Sequence, residues 1–166
     1  SGAGRKTDVS LLYVECNESL RPYGMPKHRH LSEIEQELSL ANGSPVTIQF
    51  TPHLVPVNRG ILTTLYLAPA SGQADDFTQW TDAIADCLAK RYADEPFVRL
   101  TGSGRLPDTK NVTGTNTIEI GWAADPRTQR LRVFSAEDNL IKGASGQAVQ
   151  SFNIRFGFDE TAGLHI

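Results

Sequence analysis

Asn116-Thr-Ile-Glu-Ile-Gly-Trp122, answered by Arg130-Leu-Arg-Val-Phe-Ser135, decides the fold class. Ile118, Ile120 and Trp122 alternate with Thr117, Glu119 and Gly121, the period of two that marks a strand. Ala124-Asp-Pro-Arg-Thr128 supplies a turn between the runs, so the two strands are predicted to pair antiparallel. Outward from this hairpin, Phe97 to Leu100 is a short strand and Gly60 to Leu67 a longer one, rich in β-branched and apolar types. Val46, Ile48 and Phe50 alternate with Thr47 and Gln49 and predict a half-buried strand, while Val9 to Cys16 is apolar on both faces and predicts a buried one.

Three helices are expected among these strands. Phe77, Trp80, Ile84, Leu88 and Tyr92 form one apolar stripe over about Asp75 to Tyr92. Leu31, Ile34, Leu38 and Ala41 form another, with Ser32-x-x-Glu35 as a capping box and Asn42-Gly-Ser-Pro45 as its stop. The last runs from about Gly143 to Phe156, with Ala148, Val149, Phe152 and Phe156 as its stripe and Gly157 as its C-cap. The expected class is α+β: a mixed, largely antiparallel sheet with helices packed on it.

Bulk properties narrow the function. The chain has 166 residues, suited to one domain, 1–166, and is 39% hydrophobic and 21% charged. Net charge is −3, with no basic footprint for nucleic acid. No run approaches the roughly 20 apolar residues of a membrane span, and no signal peptide is visible, so a cytoplasmic protein is expected. Cys16 and Cys87 form neither a disulfide framework nor a metal spacing. Neither lies in the accessible, electropositive surroundings of a nucleophilic thiolate. The opening Ser1-Gly-Ala-Gly-Arg-Lys6, without an initiator Met, reads as a loop cut in the middle.

Four segments carry chemistry. Lys27-His-Arg-His30 places two imidazoles and two cations just before a helix start, where backbone N–H groups and the dipole favour anions. Imidazole is the proton shuttle of neutral pH. The plainer alternative is a solvated basic loop, and with no third ligand in view no metal is expected. Thr51-Pro-His-Leu-Val-Pro-Val-Asn-Arg-Gly60 holds His53 and Arg59 on a proline-stiffened connection, where Arg59 is either an anion grip or an exposed turn residue. Asp138-Asn-Leu-Ile-Lys-Gly-Ala-Ser-Gly-Gln147 ends a strand and opens a helix with small residues, which suits close ligand approach or close packing. The glycines of Ser1-Gly-Ala-Gly-Arg5 let backbone amides converge on an anion, or mark a loose terminus.

Taken in order, Ser1–Lys6, Lys27–Gln36, Phe50–Ile61, Asp138–Gln150 and Gly157-Phe-Asp-Glu-Thr161 resemble the N-acetyl-gamma-glutamyl-phosphate reductase family, at its spacing and over nearly the whole chain. The Asp138 block also looks like aspartate-semialdehyde dehydrogenase, but the His-Arg-His and Thr-Pro-His blocks favour the acetylglutamyl enzyme. The resemblance implies the C-terminal substrate-binding and dimerisation domain of a longer reductase with a semialdehyde-dehydrogenase-like fold. The longer enzyme's N-terminal nucleotide-binding domain would bring NADPH and a cysteine in an Asn-Pro-Gly-Cys-type turn. It implies N-acetyl-gamma-glutamyl phosphate as substrate, reduced to the semialdehyde in arginine biosynthesis, and a homo-oligomer, dimer or tetramer. By the same resemblance His30 is the acid/base, His28, Arg59 and Tyr23 hold substrate, and Ser1, Gly2, Gly4, Asn139 and Gly143 lie at the cofactor. The isolated chain is then expected to turn nothing over. A stand-alone binding or oligomerisation module is the rival class.

Overall fold

The computed structural model describes residues 7–70 and 76–166. These fall into two compact units, one up to Asn58 and the other Arg59–Ile166.

The second unit is built on a four-stranded sheet. Its strands are β3 (Ile61–Leu67), β4 (Val98–Gly102), β5 (Ile118–Asp125) and β6 (Arg130–Glu137), in the order β3-β6-β5-β4. β5 and β6 form the expected antiparallel hairpin, with Trp122 opposite Val133 and Asp125 opposite Arg130. β3 adds antiparallel to β6, and β4 adds parallel to β5, so the sheet is mixed and largely antiparallel. Helix α3 (Phe77–Arg91) packs beside β4. Asp76 caps it by accepting from the Thr78 and Gln79 N–H groups, which fixes its start. Phe97, Val112, Leu131 and Ala136 are fully buried here.

Burial along β5 runs against a simple apolar-in pattern. Thr117, Glu119 and Gly121 are the buried set, and Ile118, Ile120 and Trp122 are only half-buried. The reason lies in the connection from Gly102 to Gly114, which covers the polar set: a Cβ on Gly121 would meet Arg105 and Pro107.

After β6 the chain makes a π-helical turn, Ile141–Ser145, and then helix α4 (Gly146–Phe156), closed by left-handed Gly157 as expected. The stripe assigned to its inner side faces outward instead. Phe152 is 53% and Phe156 63% exposed, while Gly146, Gln150 and Asn153 are buried. Hydrogen bonds decide the orientation: Gln150 accepts from Asn116 Nδ2 at 2.9 Å and Lys142 Nζ at 2.8 Å, and donates to Glu160 Oε1 at 2.7 Å. Asn153 Nδ2 donates to the Glu160 and Ala162 carbonyls.

The first unit departs further from expectation. Val9 to Cys16 is not a buried strand. It forms a 3-10 turn (Val9–Leu11) and a short helix α1 (Tyr13–Cys16), with Tyr13 77% and Val14 78% exposed. Asp8 takes the Ser10 N–H on its carboxylate at 2.9 Å and so nucleates the turn locally. A two-residue ribbon pairs β1 (Arg21–Pro22) with β2 (His53–Leu54). Helix α2 (Arg29–Asn42) ends at left-handed Gly43, as its stop signal predicts. It begins three residues before the capping box, so Ser32 lies inside it. Glu35 turns elsewhere and accepts from the Ile48 N–H at 3.1 Å, while Ser39 Oγ accepts from Val46 N at 2.9 Å. Val46 to Phe50 keeps its alternating burial but forms no strand, because side chains of α2 take the donors a sheet partner would use.

Candidate functional site

In the first unit the two imidazoles take different positions. His28 is the N-cap of α2, with extended backbone, and its Nδ1 accepts from the His30 N–H at 3.2 Å. Its ring is half-buried and makes edge contacts with Tyr23 at 5.3 Å and Phe50 at 5.7 Å between centroids. Gly24 (φ +69°) clears the ring's space, since a Cβ there would come within 2.5 Å of His28 Cδ2. Burial, then the neighbouring His30 and Arg29, holds the His28 pKa below the ordinary imidazole value. The cap requires that neutral form, because a protonated Nδ1 cannot accept. His30 stands one residue into the helix, exposed, with its ring 4.8 Å from that of His28. Lys27, Arg29 and His53 are exposed.

In the second unit the end of β6 grips the start of β3 at two adjacent points. Asp138 Oδ2 accepts from Arg59 Nη1 at 3.2 Å, and Asn139 Oδ1 accepts from the Gly60 N–H at 2.8 Å. Asp138 is fully buried and also takes the N–H groups of Gly114, Leu140 and Ile141 at 2.8–3.0 Å. Burial pushes its carboxyl up, but these donors and the guanidinium outweigh it, and the pKa falls below the carboxylate range. Arg59 is thus held at one nitrogen while its side chain stays 42% exposed. Its remaining donors suit an anion.

Gly60 adopts φ +116° and lies against Thr109, where a Cβ would come within 3.0 Å. The π turn then presents Gly143 at the surface, with its N–H bonded to the Asp138 carbonyl at 3.0 Å. Glu137 flanks it. Burial raises that carboxyl, with Lys142 opposing and Asp138 assisting. Burial likewise lowers Lys142, whose ammonium lies 5.5 Å from the Phe97 ring centroid.

A second buried carboxylate, Glu119, gathers Asn111 Nδ2 at 3.2 Å, Asp108 N and Arg99 Nη1 at 3.3 Å and Arg105 Nη2 at 3.9 Å. It fixes the connection that carries Thr109 and Gly114, both neighbours of the Arg59 node. Neither Glu119 nor Asp138 stands out by residue spacing. An acidic residue closing a strand just ahead of Asn-Leu was the available signal for Asp138.

The structure therefore brings Arg59 and Asn139 together within one unit, and Tyr23, His28 and His30 together within the other. Ser1, Gly2 and Gly4, expected at a cofactor, lie outside the described residues. Among the described residues no group of His, Cys, Asp and Glu could hold a metal. None of their helices is long and apolar enough to cross a membrane. Cys16 is half-buried, with its thiol donating to the Ser10 carbonyl, and Cys87 is exposed on α3; both are free.

A mixed sheet carrying an arginine latch in one unit, and a helix opened by paired imidazoles in the other, define the class. Residues 1–139 match the model of the semialdehyde dehydrogenase dimerisation domain, and the chain belongs to that family. Over its full length it is 58% identical to an N-acetyl-gamma-glutamyl-phosphate reductase of Akkermansia muciniphila, and 53% identical over 99% of its length to one of Geobacter metallireducens. It spans 46% of each, about half the length of the curated relatives it matches. Among solved structures, an aspartate-semialdehyde dehydrogenase of Francisella tularensis has the same fold. Its TM-score is 0.61 at 17% identity, covering 84% of this chain and 40% of the other.

Proposed function

We propose that residues 1–166 are the substrate-binding and dimerisation half of a cytoplasmic, NADPH-dependent reductase. That enzyme converts N-acetyl-gamma-glutamyl phosphate to its semialdehyde in arginine biosynthesis. The observation that carries this beyond the likeness to named reductases is the unequal pair of imidazoles, one consumed as a cap and the other exposed at the helix start. His30 takes a proton from a thiol supplied by the remainder of the longer polypeptide and returns it to the oxygen that becomes the aldehyde. In the second unit Arg59, held by Asp138, offers its remaining donors to an anionic group of the substrate; in the first, Tyr23 and the His28 ring stand about His30. Bound NADPH supplies the hydride. The residues fit that group: Gly143 is exposed and without a side chain, on a turn whose backbone a nucleotide can approach closely.

The bare aromatic face of α4 supports a partner as well. Phe152 packs 4.6 Å from Phe156 and 5.9 Å from Phe158, centroid to centroid, and all three are exposed. The matched dimerisation model stops at 139, before this helix, and the relatives are about twice as long. The nucleotide-binding remainder of the polypeptide is the occupant proposed for that face. A second copy of the chain joins through the sheet-bearing domain to give a dimer or tetramer.

The test is His30→Ala in the full-length polypeptide, assayed as acyl-phosphate-dependent NADPH oxidation. Turnover should fall on the order of 10²–10⁴-fold with the circular dichroism spectrum unchanged. A near-normal rate would move the proton transfer to another residue. The 166-residue chain alone should give no turnover.

A further inference from the structure

We propose that His28 is a positioning residue for His30, acting through the cap on α2 rather than through charge on the substrate. This rests on the acid/base assignment of His30 above. The cap joins the two residues directly: Nδ1 of His28 accepts the backbone N–H of His30, and the His28 carbonyl accepts from Leu31 N at 3.0 Å. The first turn of α2 is thus tied to His28 through both its ring nitrogen and its backbone carbonyl. That ring is fixed in turn by Tyr23 on one side and Phe50 on another, in the space Gly24 leaves open. With Nδ1 accepting, the proton of the neutral ring sits on Nε2, so one tautomer is selected.

The same ring lies 4.8 Å from the His30 ring, centroid to centroid, in an edge-on arrangement that limits where His30 can swing. The charged and titratable groups around His28 are Arg29 and His30 on α2 and Tyr23 from the loop after β1; Phe50, from the segment before β2, is uncharged. Both Arg29 and His30 oppose protonation of His28, which keeps the acceptor available.

The experiment compares His28→Ala and His28→Asn in the full-length polypeptide. Asparagine offers a side-chain oxygen to the His30 N–H, and alanine does not. In His28→Ala, kcat should fall about tenfold with KM within about twofold, as expected for a misplaced catalytic group. The His30 amide should exchange with solvent about fivefold faster or more, the loss of one cap. His28→Asn should restore both most of the way. If both variants raise KM about tenfold and leave kcat alone, His28 holds substrate and the proposal is wrong. Unchanged kinetics in His28→Ala overturn it equally. Should His28→Ala fail to fold, a loss of kcat in folded His28→Asn as large as that of His30→Ala overturns it. The His30 exchange rates report the cap even if His30→Ala shows that His30 transfers no proton, so the two failures are distinguishable.

Discussion

The two units of this chain hold their polar groups by opposite means. Among residues 7–58 none is fully buried, and order there comes from local bonds: Asp8 to Ser10, His28 to His30, Ser39 to Val46. Between Arg59 and Ile166, Phe97 and Leu131 are sealed from solvent together with two whole carboxylates, Glu119 and Asp138. A buried carboxylate is tolerated only when donors surround it, and losing one partner leaves the rest uncompensated. Cooperative stability therefore concentrates in the second unit, and the imidazoles sit in the softer one.

The sharpest way to break this comparison is Asp138→Ala. It removes the shared acceptor of three part-buried backbone N–H groups and frees the solvent-exposed Arg59 guanidinium, and should cost about 2–3 kcal/mol in a denaturant titration. A cost below about 1 kcal/mol would mean that the latch is incidental.

Acid should separate the units next. The His28 pKa is depressed in the folded state, so the unfolded chain binds the proton first. Stability from its cap is lost as pH falls below about 6.5. The Asp138 pKa is also depressed, and its contribution persists down to about 3.9 and is lost below that. Amide exchange followed by NMR should therefore show the first turn of α2 opening first as pH falls below about 6.5, while β5 and β6 stay protected. Simultaneous loss would contradict the contrast.

The smallest effect is expected from Ser39→Ala, which removes one acceptor for Val46 N and should cost about 1 kcal/mol.

What the sequence made legible follows the same division. The β5–β6 hairpin, β3 and α3 carry long periodic runs, and burial enforces them. The start of α2 was hidden because a histidine, not Ser32, provides the cap. Val46 to Phe50 has a strand's alternation, yet its partners are Glu35 and Ser39, side chains rather than a backbone ladder. Glu119 sat among the polar residues of an alternating strand. Its burial depends on Arg99, Arg105, Asp108 and Asn111, and spacing along β5 says nothing of them. The site was legible as residue types and order. The use of Asp138 to hold Arg59, 79 positions away, was not, because only tertiary pairing reveals it.

The π turn at Ile141–Ser145 has a consequence for everything after it. Such a turn admits one residue more than an α-helical ladder would, and each residue turns a helix by about 100°. That single surplus residue works as an angular index: it sets Gln150 and Asn153 toward Asn116 and Glu160 and leaves Phe152 and Phe156 pointing outward. Removing one residue between 141 and 145 would rotate α4 by about that angle and carry Gln150 and Asn153 away from their partners without altering one amino acid of the helix.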